Sequence, residues 1–345
     1  MKTKRSKVDE LFMKRALRLA RRGFGKTLPN PCVGCVIVKA GKIIGEGFHK
    51  KAGENHAEIN ALKKVGKLAK GAKMYVTLEP CCHVGRTGPC TGAIIEAGIK
   101  EVVVAMKDPS LHANGKGIDI LRHAGVKVSM GTEVETNESR EMNQVFLKNV
   151  LKKMPYVTLK MAMSLDGKIA TKTGDSRGLT GAKAQKFVHQ LRAEHDAVLV
   201  GAGTVLADNP HLGVRLVKGK SPIRVILDNE NKLQKSAQVF RDDNVIVFNK
   251  DNGGDAKTIL KKLFDMGIMS ALIEGGETVA SEFLDAGCVD KYIAIIAPKL
   301  IGGDAKTPFK GVGVEKVANV IVPKNVEMKK LGEDFVITGF LSRYQ

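Results

Sequence analysis

His56-Ala57-Glu58 and, further on, Pro80-Cys81 and Cys90 are the residues of this chain whose types and spacing could do chemistry. One imidazole and two thiolates suit zinc, which in catalytic sites takes three protein ligands and keeps a fourth position open for water. Glu58 stands two residues after His56, near enough to sit beside such a water without ligating the metal. From there it could take the water's proton and return it to a leaving amine, as a general acid–base. Cys90 is expected to begin a helix, where the positive end of the dipole favours a thiolate.

Five of the six cysteines lie between positions 32 and 90, and Cys288 stands alone. In a cytoplasmic chain such clustering points to metal or catalysis rather than to disulfides. A structural four-cysteine site from Cys32, Cys35, Cys81 and Cys90 is the competing arrangement. Its weakness is that an odd separation on a strand points Cys32 and Cys35 to opposite faces. Cys82 and His83 are read as bystanders, because adjacency to Cys81 would strain joint ligation. In the second half, Glu274-Gly275-Gly276-Glu277-Thr278 and Gly201-Ala202-Gly203-Thr204 each join a strand to a helix. Such turns can offer backbone N–H groups to a phosphate, or be no more than tight connections.

The elements that must position these residues alternate. Strands are expected at 33–38, 42–47, 74–78, 102–106 and 126–130, with helices at 56–65, 90–97 and 117–124 between them. Val8–Arg22 reads as an amphipathic helix with Val8, Leu11, Phe12 and Leu19 on one face, and Glu133–Lys153 as one helical stretch ending before Pro155. The alternation restarts with strands at 156–163, 197–200, 223–227, 245–248, 270–273 and 292–296, and helices at 182–193, 256–266 and 277–286. A chain of 345 residues accommodates two α/β domains, and the boundary is placed near residues 150–155.

With 43% hydrophobic and 27% charged residues, the composition excludes a largely disordered chain. No apolar run is long enough to span a membrane and the N-terminal segment lacks a secretory core, so a cytoplasmic location is expected. The net charge of +20 favours anionic partners such as phosphorylated metabolites and nucleotide cofactors. Nucleic acid is not expected as a partner, because the lysines are scattered and only 5% of residues are aromatic.

The His-x-Glu and Pro-Cys pattern resembles the zinc-dependent nucleobase deaminases. The eight residues between Cys81 and Cys90 depart from the usual two and look like the pyrimidine deaminase of riboflavin biosynthesis. Asn30-Pro31-Cys32-Val33-Gly34, Gly45-Glu46-Gly47-Phe48-His49 and Ala105-Met106-Lys107-Asp108-Pro109 agree with that family. The run Tyr156–Ala170, with Val200–Pro210, Ile273-Glu274-Gly275-Gly276 and Ala297–Gly303, resembles the NADPH-using reductase of the same pathway. The resemblance covers essentially the whole chain. It implies a cytidine-deaminase-like three-layer domain over residues 1–150 and a dihydrofolate-reductase-like domain over 151–345.

The same resemblance implies Zn2+ on His56, Cys81 and Cys90, Glu58 as the catalytic acid–base, and NADPH in the second domain. Cofactor contacts carry over to Ala162, Thr180, Thr204, Asp208 and the turn Gly276, Glu277, Thr278, Val279, Ala280, Ser281 and Glu282. Substrate contacts carry over to Lys160, Ser176, Arg192, Leu212, Arg215 and Glu274, the arginines suiting a ribose phosphate. The implied reactions are deamination of 2,5-diamino-6-(5-phosphoribosylamino)pyrimidin-4-one and reduction of the ribosyl group to ribityl, in a homo-oligomer.

Departures occur at Gly88, where the family usually has Pro, over Ser110–Asn114, at Gly178 for a common Trp, and at Gly213 for a Thr. The indole missing at Gly178 is expected to leave a face beside NADPH uncovered. A deaminase with a degenerate reductase half is the alternative, and a tRNA or nucleoside deaminase and a nucleic-acid-binding protein with structural zinc are rivals. Against the last stands Glu58, a carboxylate that a structural site has no need of.

Overall fold

Period-two alternation organises the first half. In β1 (Gly34–Lys39), Cys35 and Ile37 enter one apolar cluster while Val36 and Val38 enter another, because successive strand side chains point to opposite faces. The computed structural model describes residues 7–82, 88–111, 113–311, 313–342 and 344. Its chain divides into Met1–Lys152 with Tyr344–Gln345, and Lys153–Arg343.

In the first unit β1 pairs antiparallel with β2 (Lys42–Phe48) and β3 (Lys73–Val76), while β3, β4 (Glu101–Val104) and β5 (Lys127–Met130) run parallel. The order is β2-β1-β3-β4-β5. On one face lies α1 (Lys7–Ala20); on the other lie α2 (Ala57–Val65), α3 (Cys90–Glu96) and α4 (Lys116–His123). This makes three layers. The buried stripe of α1 is Met13, Ala16, Leu17 and Ala20, whereas Val8 and Leu11, expected inside, are 51% and 62% exposed. Counting only large side chains overlooked the alanines, which complete the i, i+3, i+4, i+7 face.

The stretch expected as one helix over 133–153 is two, α5 (Glu133–Met142) and α6 (Gln144–Lys152). Asn143 breaks it, because its carboxamide accepts from Cys32 N at 2.7 Å and donates to Cys32 O and Ser139 O at 3.2 and 3.0 Å. Those bonds tie the helix pair to the chain entering β1.

In the second unit β6 (Tyr156–Ser164) is followed by α7 (Ala182–Glu194), β7 (Ala197–Gly201), α8 (Ala202–Asp208), β8 (Ile223–Leu227) and β9 (Val245–Phe248). Then come α9 (Ala256–Asp265), β10 (Ser270–Ile273), α10 (Glu277–Asp285), β11 (Lys291–Ala297), β12 (Lys324–Leu331) and β13 (Asp334–Phe340). The strand order is β12-β13-β11-β6-β10-β7-β8-β9, parallel from β11 to β9 and antiparallel at β12 and β13. Sequence patterning did not find β12, β13 or α8. Nearly every residue of β12 is exposed, so no apolar alternation marks it.

What places the metal-ligand candidates is the seat of α2 on β2. A Cβ at Gly47 would lie 2.2 Å from Ala57 O and 2.5 Å from Ala61 N; the missing side chain lets the helix lie against the strand. Gly47→Ala should therefore destabilise the first unit by about 1–3 kcal/mol, the cost of overpacking. Gly92→Ala, whose Cβ meets only Pro89 Cγ at 3.7 Å, should be neutral or stabilising. Thermal unfolding of the two variants checks the contrast.

Candidate functional site

His56 is the extended N-cap residue of α2, Cys81 follows the end of β3, and Cys90 is the first residue of α3. Three element ends thus deliver three ligands. His56 Nδ1 lies 3.5 Å from Cys81 Sγ and 3.4 Å from Cys90 Sγ, and the Cys90 N–H donates to Cys81 Sγ at 3.4 Å. The three ligand atoms lie within 4.8 Å of one another. A tetrahedral zinc with Zn–S of ~2.3 Å and Zn–N of ~2.0–2.1 Å has N···S edges of about 3.5 Å, so the donors fit the ion.

Their electrostatics agree. The hydrogen bond with Cys90, against the cost of burial, and a second from His56 bring the Cys81 thiol down to about 4. The hydrogen bond with Cys81, together with burial, pushes the Cys90 thiol up. The expected lowering of Cys90 by its helix is therefore overridden by the neighbouring thiolate. Only a shared cation would let both sulfurs be thiolates. His56 is raised, chiefly by its hydrogen bond to Cys81.

Cys32 and Cys35 stand outside this group: Cys32 Sγ is 3.3 Å from Thr27 Oγ1, and Cys35 is buried in the core. Cys82 is likewise not part of it among the described residues, and His83 lies outside them.

Glu58, 3% exposed, sits in the first turn of α2, where burial pushes its carboxyl up to about 7. Glu58, His56 and Cys81 line a cavity of about 490 Å3, together with Asn30, His49, Glu79, Asp108 and Ser110. His49 is 2% exposed and stands edge-on to His56 at 5.3 Å. With Nδ1–H donating to Asn55 O at 3.2 Å, its Nε2 accepts from Asn30 Nδ2 at 3.1 Å, and burial lowers its pKa. Asn30 and His49 belong to matching motifs but carried no role in the sequence reading; their polarity in otherwise apolar stretches was the available signal.

The second unit holds a cavity of about 370 Å3 at the C-terminal ends of β6, β7 and β10. Lys160, Ala162, Ser176, Thr180, Thr204, Asp208, Glu274, Gly276, Glu277, Thr278 and Val279 line it. Arg192, Leu212, Arg215, Ala280, Ser281 and Glu282 are not in its wall. Leu212 is packed in a core cluster, Arg215 is exposed, and Ser281 Oγ accepts from Lys310 N at 2.7 Å. Met161, Ile169, Lys306 and the glycines Gly174, Gly201, Gly203 and Gly275 also contribute; of these only the glycine turns had a readable signal. Gly276 caps α10 with no side chain on the first turn, which leaves backbone N–H groups for a phosphate of a dinucleotide.

At the inner wall Glu274 accepts from Arg192 Nε and Nη2 at 2.6 and 3.0 Å and pairs with Lys160 Nζ at 3.0 Å. Arg192 Nη1 reaches Gly213 O at 3.3 Å. The bidentate edge of Arg192 is thus spent on a carboxylate rather than turned to a substrate phosphate. Burial alone would raise Glu274, yet Lys160 and Arg192 hold it at about 2.

The deaminase zinc-binding region of cytidine and deoxycytidylate deaminases matches residues 6–106, and the RibD C-terminal domain matches 155–337. The riboflavin biosynthesis protein RibD of Aquifex aeolicus is 43% identical over 358 residues, with 98% of this chain and 99% of that protein covered. The chain belongs to the RibD family. The RibD protein of Escherichia coli is 39% identical, with 94% and 97% covered. The structure of Acinetobacter baumannii RibD matches with a TM-score of 0.89 at 40% identity, over 97% of this chain and 99% of that one. A Thermotoga maritima structure, described as a diaminohydroxyphosphoribosylaminopyrimidine deaminase/5-amino-6-(5-phosphoribosylamino)uracil reductase, gives 0.84 at 40% identity, over 96% and 98%.

RibD relatives span both halves, which favours two activities over a deaminase with a degenerate reductase half. Zn2+ and NADPH are the cofactors the two RibD domains imply. No helix among the described residues is long and apolar enough to cross a membrane. The two glycine departures have local explanations. Gly178 has φ 67°, does not line the cavity and bonds Lys299 Nζ through its carbonyl, so a Trp there would be strained rather than stacked on a cofactor. A Cβ at Gly213 would lie 2.8 Å from the His211 ring, which occupies the space of the usual Thr.

Two outcomes are expected. Zinc should bind at one ion per chain and be lost from a Cys81→Ala, Cys90→Ala double variant, as elemental analysis will read. Glu274, depressed in the folded state, adds stability above its ordinary range that disappears as pH falls towards its folded pKa of about 2. The advantage of wild type over Glu274→Gln in urea unfolding should shrink by on the order of 3 kcal/mol between about pH 5 and pH 2.

Proposed function

We propose that the first unit deaminates 2,5-diamino-6-(5-phosphoribosylamino)pyrimidin-4-one and that the second reduces the ribosyl group of the product with NADPH. The observation that carries the first half is the His56, Cys81 and Cys90 donor set, two of whose members, His56 and Cys81, line one cavity with the buried carboxyl of Glu58. Zinc held by these three residues would supply the Lewis acidity that makes water a nucleophile at neutral pH. Glu58 carries the proton: it accepts one from water and delivers it to the departing amino group, so water is consumed and ammonia released. His49, with both ring nitrogens engaged, orients Asn30, whose carboxamide oxygen is available to the pyrimidine ring.

In the second unit NADPH, when bound, supplies the hydride. The Gly276–Val279 turn would take its phosphates and Thr204 and Asp208 its ribose, a reading supported by all of them lining the cavity. Lys160 and Glu274 offer a donor and an acceptor to the sugar at the inner wall. Arg192 acts by holding Glu274, which leaves the exposed Arg215 as the phosphate-gripping arginine.

A homo-oligomer is part of this reading. β12 is an edge strand exposed almost throughout, with Val326 56% and Met328 69% exposed, and an open edge offers backbone groups to which a second chain can pair. Free thiols at all six cysteines fit a reducing, cytoplasmic setting.

The test uses purified protein, the diaminopyrimidine substrate and its separately prepared deaminated product. Glu58→Gln should keep zinc and lose deamination by at least ~10²-fold, while NADPH oxidation with the deaminated product continues at the wild-type rate. Loss of both activities in a folded, zinc-loaded variant would sink the two-site assignment.

A further inference from the structure

Glu79 lines the first cavity and has no role in the chemistry above, yet it is 3% exposed and immediately precedes the Pro80-Cys81 pair. Buried carboxylates are usually matched by a cation or a metal. This one is matched by main chain. Its Oε1 accepts from the N–H groups of Gly117 and Ile118 at 2.9 and 3.3 Å, and its Oε2 from those of Gly115 and Asp108 at 2.9 and 3.2 Å. Four amides, those of Asp108, Gly115, Gly117 and Ile118, are gathered on one side chain from the turn that follows β3.

Two consequences follow. Gly117 and Ile118 lie in the first turn of α4, whose N-cap residue Gly115 supplies no side chain, so Glu79 satisfies amides that the helix itself leaves unpaired. The backbone is also drawn close: a Cβ at Gly117 would lie 2.2 Å from Pro80 O, so the segment packs directly on the turn bearing Cys81. Asp108 and Ser110, held at the other end of the segment by the Glu79 bond and by Ser110 N donating to Asp108 Oδ1 at 2.8 Å, face the cavity.

We propose that Glu79 is a positioning residue of the deamination site: it locks the Asp108–Ser110 wall at a fixed distance from the Cys81 turn and so sets how tightly the pyrimidine substrate is held. This rests on the deaminase reading of the first cavity. Its action is on substrate binding, since no bond of Glu79 reaches His56, Glu58, Cys81 or Cys90 among the described residues. Glu79→Gln keeps shape and volume but turns an NH2 group towards two backbone donors, which frees at least one end of the segment.

The experiment measures steady-state deamination, zinc content, NADPH-dependent reduction of the deaminated product, and amide hydrogen exchange. For Glu79→Gln we expect KM for the diaminopyrimidine to rise roughly tenfold or more, on the scale of one lost charged hydrogen bond, with kcat changed less than about threefold. Zinc should stay at one per chain and reduction should be unaffected. Gly117→Ala, which keeps the carboxylate but cannot let the segment approach Pro80, should show the same split. In the wild-type protein the Gly115 and Gly117 amides should exchange slowly, and in Glu79→Gln quickly. A fall in kcat at unchanged KM, or loss of zinc from the folded variant, would overturn the proposal. So would unprotected Gly115 and Gly117 amides in wild type, a reading that holds even if both variants fail to fold. Absence of deamination by zinc-loaded wild type would instead overturn the deaminase reading itself.

Discussion

Two thiols, each held 3.4–3.5 Å from one imidazole nitrogen, form a charge problem that only a cation settles. The first proton leaves Cys81 readily, and the thiolate it leaves behind makes the second loss, from Cys90, costly. Three element ends, at positions 56, 81 and 90, must meet at one point to create that situation. The first unit is organised to do so. α2 lies on β2 where Gly47 allows it, β3 runs out at the Cys81 turn, and α3 starts at Cys90. Glu58 then occupies the same helix turn as His56, dry enough for its carboxyl to hold a proton near neutrality.

The second unit uses a different device. A buried carboxylate, Glu274, sits between two cations, Lys160 and Arg192, at the end of the parallel strands. Buried ion pairs seldom add much net stability against apolar packing of the same volume. Their presence at a cavity wall is better understood as an arrangement of fixed charge where a polar substrate enters, with strand ends and glycine turns supplying the remaining contacts. Both cavities are therefore built where secondary structure ends, because only there are backbone groups and side chains free to converge.

Much of this was legible beforehand, and unevenly. The ligands, the acid–base and the glycine turns could be named because their chemistry demands particular residue types at short spacings. The strands of the two cores were legible because they are β-branched and bounded by turn residues. What escaped was signalled by composition too weakly. β12 is polar along its length, α8 is short, and the helix break at Asn143 depends on a partner 111 residues away. The same holds for the buried face of α1, which alanines complete.

The sequence by itself determined which chemistry is available: one histidine, two cysteines and a glutamate in a deaminase pattern, and glycine turns suited to phosphates. Tertiary structure alone decided how those groups are tuned and which are free to act. It made Cys81 rather than Cys90 the easier thiolate, committed Arg192 to Glu274, left Leu212 in a core, and wrapped four amides around Glu79. The physical reason is that ionisation and hydrogen bonding depend on distance and burial. Residue type specifies what a group can donate or accept, but only the packed chain sets its partners and how much water remains beside it.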